Sequence, residues 1–188
     1  MNKDIKLLAI VGMAGSGKSV AIDYLTNHGV PKSYFGGMNL REMAKRGIEI
    51  TPENEKIFRK QIREEEGNDW VVRQVIAEVN DLIGAGQKRI VLDGLYSWTE
   101  YKILKHEFPG DQLTVIAIVS PRDLRYKRLA ARPDRPFDAG AARERDYHEI
   151  ETIEKGGPIA IADYYIVNDG SIEDLESKLK NILTEIKF

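Results

Sequence analysis

Eight residues near the start of the chain, Gly12-Met13-Ala14-Gly15-Ser16-Gly17-Lys18-Ser19, follow the pattern glycine, four residues, Gly-Lys-Ser. Glycines at this spacing let the backbone turn tightly with its N–H groups pointing inward around a phosphate. A helix opening near Lys18 adds the positive end of its dipole. In such a loop the backbone from Gly12 to Val20 holds the phosphates, Lys18 reaches the β- and γ-phosphates, and the Ser19 hydroxyl ligates Mg²⁺. A glycine-rich turn without a ligand could carry the same letters. The context test is a strand before the loop and a helix after it, and both are present: "IKLLAIV" at 5–11 and a helical pattern over 19–27.

A metal-bound triphosphate calls for a further carboxylate, commonly at the end of a neighbouring buried strand. "IVLDG" supplies Asp93 at such a place. Asp-Gly is also an ordinary turn pair, and only the loop upstream favours the metal role.

Charge gathers later in the chain. Over 120–145 there are Arg122, Arg125, Lys127, Arg128, Arg132, Arg135, Arg143 and Arg145 against Asp123, Asp134, Asp138 and Glu144, a local excess of +4 in a chain whose net charge is -2. Arg128 and Arg132 are four apart and predict one helix face, with Leu124 and Leu129 to seat that helix on the core. Guanidinium groups converging on a transferring phosphoryl group stabilise its spreading charge, whereas a solvated face would hold the same residues in ordinary ion pairs.

Composition narrows the rest. A chain of 188 residues with 42% hydrophobic content can build one substantial core and is short for two. The absence of cysteine excludes disulfides, thiolate metal sites and a thiol nucleophile. His28, His106 and His148 lie in separate helical patterns with no metal-ligand spacing. The slightly negative balance disfavours a nucleic-acid partner. "MNKDIKLLAIVG" is too short an apolar run for a signal-peptide core or a membrane span, which points to a cytoplasmic protein, a monomer or a small homo-oligomer.

The elements that must position these residues are legible in outline. Runs at 5–11, 89–94 and 113–119 are continuous in Ile, Val and Leu, as in strands buried on both faces of a parallel sheet, and "YYIVND" at 164–169 predicts another strand. Between them lie helical patterns over 19–27, 52–66, 69–83, 98–106, 122–132 and 172–186. The alternation predicts a single α/β domain over 1–188, a three-layer sandwich around a parallel sheet of about five strands. Two segments fit the alternation poorly: 33–66, a glycine pair leading into charged helices with a start signal at Thr51, reads as a helical insertion. The stretch 132–145, with two prolines, reads as a mobile lid.

With these residues in hand the chain resembles P-loop nucleotide kinases of the adenylate kinase and dephospho-CoA kinase group, and within it the archaeal-type dephospho-CoA kinase-related proteins. The resemblance is carried by "VGMAGSGKS", "RGIEITPEN", "IVLDG", "RERD" and "IADYYIVNDGSIEDL", and covers nearly the whole chain. It implies a P-loop NTPase fold, ATP held by Lys18 and the Gly12–Ser19 backbone, and Mg²⁺ served by Ser19 and Asp93. It implies that Arg128 and Arg132 contact the donor phosphates and the adenine ring at the lid entrance, and that Arg145, with Arg143, returns from the lid. It also implies that 33–66 binds the acceptor, with Arg41 gripping an acceptor phosphate; Gly94 and Tyr96, after the third strand, are further candidates for the acceptor site.

The chain departs from that group on the acceptor side. Gly37-Met38-Asn39-Leu40-Arg41 has methionine where related kinases tend to carry Asp, and Leu95-Tyr96 stands where they often carry an arginine. A hydroxyl acceptor benefits from a carboxylate base, which Met38 cannot supply. A monophosphate acceptor needs clamping, and Arg41 would clamp it with less help. Tyr96 and Trp98 offer faces for a base to stack on, or form a buried aromatic pair. The expected activity is therefore phosphoryl transfer from ATP to a nucleotide-like small molecule, of nucleoside monophosphate or dephospho-CoA type. The alternative is a regulatory ATP-binding protein with no small-molecule acceptor.

Overall fold

The computed structural model describes residues 4–133 and 136–188. Five parallel strands form one sheet in the order β2-β3-β1-β4-β5: β1 (Lys6–Val11), β2 (Lys32–Tyr34), β3 (Arg89–Asp93), β4 (Leu113–Val119) and β5 (Tyr164–Val167). The expected α/β sandwich is therefore the fold observed. Strand β2 is the addition: three residues of Lys-Ser-Tyr at a sheet edge carry no continuous apolar run to announce them.

Side-chain parity along the central strands builds the two cores. In β1, Leu7, Ala9 and Val11 join one cluster and Leu8 and Ile10 the other; β4 divides into Leu113, Val115 and Ala117 against Ile116 and Ile118. The first cluster is closed by α2 (Phe35–Lys45), α3 (Pro52–Glu66), α4 (Trp70–Gly84) and α5 (Trp98–Glu107), through Phe35, Phe58, Trp70, Val75 and Leu104. The second is closed by α1 (Lys18–Asn27) and α9 (Ile172–Glu185), through Ile22, Leu25, Leu175 and Leu179. Period-two strands buried on both faces need apolar residues at every position, which is why these runs are continuous.

Local signals set the helix starts. Thr51 accepts from the Asn54 N–H with Pro52 in the first turn, and Ser97 and Glu100 form a reciprocal capping box. Asp138 caps α7 (Ala139–Glu151) and Ser171 caps α9. The helix expected over 122–132 is shorter: α6 (Arg122–Ala130) ends before Arg132. A five-residue helix, α8 (Gly156–Ala160), was not foreseen, its Gly-Gly-Pro start having little helical propensity. Residues 134–135, inside the stretch expected to be a lid, lie outside the described residues. No helix among the described residues is long and apolar enough to cross a membrane.

Candidate phosphate-binding site

Gly12, Gly15 and Gly17 all take positive φ between β1 and α1, at 149°, 78° and 104°. The close approaches explain why no side chain fits. A Cβ on Gly12 would stand 2.3 Å from the Ile118 carbonyl oxygen, and one on Gly17 would stand 2.2 Å from Asn168 Nδ2. Gly17 precedes α1 with no side-chain cap, so the first N–H groups of that helix remain open to a ligand.

The loop is braced from below. Asn168 Nδ2 donates to the Ser16 carbonyl at 2.8 Å, Ser120 Oγ to the same carbonyl at 3.3 Å, and Arg125 Nη1 to the Ala14 carbonyl at 3.0 Å. Arg125 is buried and also closes two bonds with Asp146 on α7, at 2.9 and 2.6 Å. Arg128 donates through Nη1 to Ser120 Oγ and to the Asn168 carbonyl, both at 3.2 Å. Arg132 lies past the end of α6 with its side chain exposed, so the two arginines do not share the helix face their spacing suggested.

A polyphosphate fits this cradle. The Ser16 hydroxyl is fully buried with no hydrogen-bond partner among the described residues. Lys18 reaches back to the Met13 carbonyl at 3.0 Å. Burial, reinforced by the charge of Lys155 and, more weakly, Arg145, pushes Lys18 down to about 7, against the opposing pull of Glu149 and Asp93. A cation held this far below its ordinary value gains most from an arriving anion.

Parity places the carboxylate. Val91 of β3 packs into the core on the α1 side, so Asp93, two residues on, faces the helix that carries Ser19. Asp93 is half-buried, and burial raises its carboxyl while Lys32, 3.9 Å away, and Lys18 pull it back. The exposed Ser19 hydroxyl and Asp93 offer hard oxygen donors, as Mg²⁺ requires. Among the described residues no group of three His, Cys, Asp or Glu side chains could hold a metal, so an ion here would need ligands from nucleotide and water.

Glu149 and Lys155 are the contributors that spacing did not reveal. Lys155, 2% exposed, donates to Glu149 Oε2 at 2.8 Å, and Arg145 Nε donates to Glu149 Oε1 at 3.2 Å. Burial raises the Glu149 carboxyl, but Lys155, Arg145 and Lys18 outweigh it and hold the group below the usual carboxylate value. The Lys155 ammonium also lies 5.1 Å from the centre of the Tyr96 ring. A glutamate and a lysine in a stretch already rich in charge give no sequence signal for burial; only the docking of α8 against α5 and β4 conceals them.

On the acceptor side the picture changes. Gly37, Met38 and Asn39 are buried in helix α2, so the segment leading to Arg41 is helical. Met38 is a core residue whose sulfur accepts from Arg41 Nη2, and the same Nη2 donates to Glu78 Oε1 at 3.0 Å. Glu78 in turn accepts from the buried Ser33 hydroxyl. Tyr96 meets Phe35 edge-on at 6.4 Å while Trp98 stacks on Tyr101 at 5.2 Å, so the two aromatics have separate partners. Gly94 has φ 107°, and a Cβ there would stand 2.8 Å from the Tyr96 ring. Burial holds the Tyr96 phenol well above its usual range, and it stays protonated at neutral pH.

With this geometry established, comparison places the chain among known proteins. A family model described as an AAA domain matches residues 8–154. A UPF0200 protein of Thermococcus onnurineus is 34% identical over 96% of this chain and 97% of its own length. The chain belongs to the AAA-domain family and to the UPF0200 proteins. Among solved structures, a shikimate kinase from Bacteroides thetaiotaomicron aligns with a TM-score of 0.59 at 9% identity, covering 97% of this chain and 99% of that one. A gluconokinase from Sinorhizobium meliloti aligns at 0.52 and 14% identity, over 97% and 96% of the two chains. These likenesses establish that this UPF0200 chain has the fold of P-loop kinases. A particular tie to dephospho-CoA kinase is not among them.

Proposed function

We propose that the chain is an ATP-dependent phosphotransferase that passes the γ-phosphoryl group to a small, nucleotide-like acceptor of nucleoside monophosphate or dephospho-CoA type. The observation that carries this reading is Lys18: a lysine at the mouth of an anion-shaped loop, pushed down to about 7 by burial and by the nearby charges of Lys155 and Arg145. Structural likeness to kinases of shikimate and gluconate supports a small-molecule acceptor.

In this reading the Gly12–Val20 backbone and the open α1 N-terminus hold the nucleotide phosphates, and Lys18 turns from the Met13 carbonyl to the β- and γ-phosphates. Ser19 and Asp93 would hold Mg²⁺, which when bound neutralises phosphate charge. Arg128, Arg132 and Arg145 surround the donor, with the 132–145 stretch as lid. Arg41, Gly94 and Tyr96 would meet the acceptor where α2 begins beside the end of β3. Catalysis is then positioning and charge neutralisation, which suits a phosphoryl group that needs little covalent help.

A second reading draws on one observation: Arg41, the candidate acceptor clamp, is already paired with Glu78. A regulatory protein that binds ATP without passing on its phosphate would need no clamp. ADP release separates the two, measured with nucleoside monophosphates, dephospho-CoA, shikimate and gluconate in turn. The kinase reading expects one acceptor to stimulate release, and Lys18→Ala to lower that rate by about three orders of magnitude. Equal release with every acceptor and with none would leave the regulatory reading.

A further inference from the structure

Arg145 spends only one of its donors on protein. Its Nε bonds to Glu149 Oε1, its guanidinium carbon lies 5.5 Å over the Phe137 ring, and among the described residues the two terminal amino groups have no partner. A lone arginine beside a carboxylate ordinarily closes the bidentate fork, turning its terminal groups inward. Arg125 of α6 does this with Asp146, which lies on α7 one turn before Glu149. At Glu149 the second oxygen instead accepts from the Lys155 ammonium, whose positive charge opposes the approach of a second guanidinium nitrogen.

The pair is also costly. Lys155 and Glu149 have side chains 3% and 4% exposed, and a buried ion pair seldom stabilises a fold better than apolar residues of the same size. A role in packing alone would be met by methionine and leucine. What the pair does that apolar residues could not is occupy one carboxylate oxygen and leave the other for a single arginine nitrogen.

We propose that Lys155 is a positioning residue that blocks the second oxygen of Glu149, so that the terminal amino groups of Arg145 stay aimed at the γ-phosphate of a bound nucleoside triphosphate. The proposal rests on the phosphate-donor reading of the loop and adds to it a source of preference for triphosphate over diphosphate. Lys155 need not touch the nucleotide. Its ammonium lies against Tyr96, three residues past the end of β3, where the proposed function puts the acceptor.

The test is calorimetric binding of MgATP and MgADP to the full chain. Wild type is expected to prefer MgATP, and Lys155→Met to lose about tenfold of that preference, the size of a charge-assisted hydrogen bond, read as the ratio of the two affinities because Lys155 also acts on the charge of Lys18 and so on both nucleotides. In an Arg145→Met background, Lys155→Met is expected to change the ratio no further, because it acts through Arg145. A structural role would instead weaken both nucleotides equally. Arg145→Lys, at a half-exposed position that does not threaten folding, is expected to lose as much as Arg145→Met, since an ammonium drawn to Glu149 has no second end to offer. Wild type that binds neither nucleotide overturns the donor site itself. Wild type that binds both without preference, Lys155→Met with an unchanged ratio, or Arg145→Lys that keeps it, overturns the positioning role alone.

Discussion

Arg125 on α6 and Asp146 on α7 close a bidentate pair at 2.9 and 2.6 Å, and the same guanidinium holds the Ala14 carbonyl of the phosphate loop at 3.0 Å. One buried side chain thus ties the helix after the expected lid to the backbone of the glycine loop. Arg125→Ala leaves Asp146 buried without its partner and is expected to cost about 3–5 kcal/mol in urea denaturation. Replacing both, as Arg125→Met with Asp146→Leu, should recover most of that stability. It should leave nucleotide affinity low, because the bond to Ala14 is still missing.

Lys18 makes the stability of the fold depend on pH. Its folded value of about 7 lies below its ordinary 10.5, so between those values the unfolded chain binds more protons and this group makes stability rise with pH. Lys18→Met should flatten that slope and raise the melting temperature at pH 7 and below, while abolishing nucleotide binding. In wild type at pH 8, MgATP binding should take up close to one proton, since the phosphates restore the charge. Titration in buffers of different ionisation enthalpy measures the uptake, and none at pH 8 would refute the account.

Asp93 is expected to act through the metal. Asp93→Asn should raise the Mg²⁺ concentration needed for half-maximal activity at least tenfold, with metal-free ATP binding little changed. Equal losses with and without Mg²⁺ would point to a role in the fold instead, through its contact with Lys32.

The Arg41–Glu78 pair offers a test of acceptor chemistry. If the acceptor is a monophosphate, Glu78→Gln frees Arg41 from a competing carboxylate and should lower the acceptor KM several-fold with kcat retained. An acceptor without a phosphate would show no such gain. Because the pair is partly exposed, the cost in stability should be under about 1 kcal/mol.

Much of this architecture is carried by short-range patterns. Continuous apolar runs mark β1, β3 and β4, and capping residues such as Thr51 and Ser97 mark helix starts. Strand β2 and helix α8 escape that reading because a three-residue edge strand and a Gly-Gly-Pro turn draw their stability from neighbours. Arg132 shows the same limit from the other side, since four-residue spacing implies a shared face only while the helix lasts, and α6 stops at Ala130.

The sequence by itself determined the strand–glycine loop–helix unit, because glycine spacing, a preceding strand and a following helix are local and need no distant partner. It also determined that Asp93 ends a buried strand. Which charges pair with which was decided only by the tertiary structure. Arg125 finds Asp146 21 positions away and Arg41 finds Glu78 37 positions away. Lys155 is buried with Glu149, which also holds the half-exposed Arg145, where α8 docks against α5 and β4. An ion pair depends on a few ångströms between side chains of separate elements, and no spacing along the chain encodes that distance.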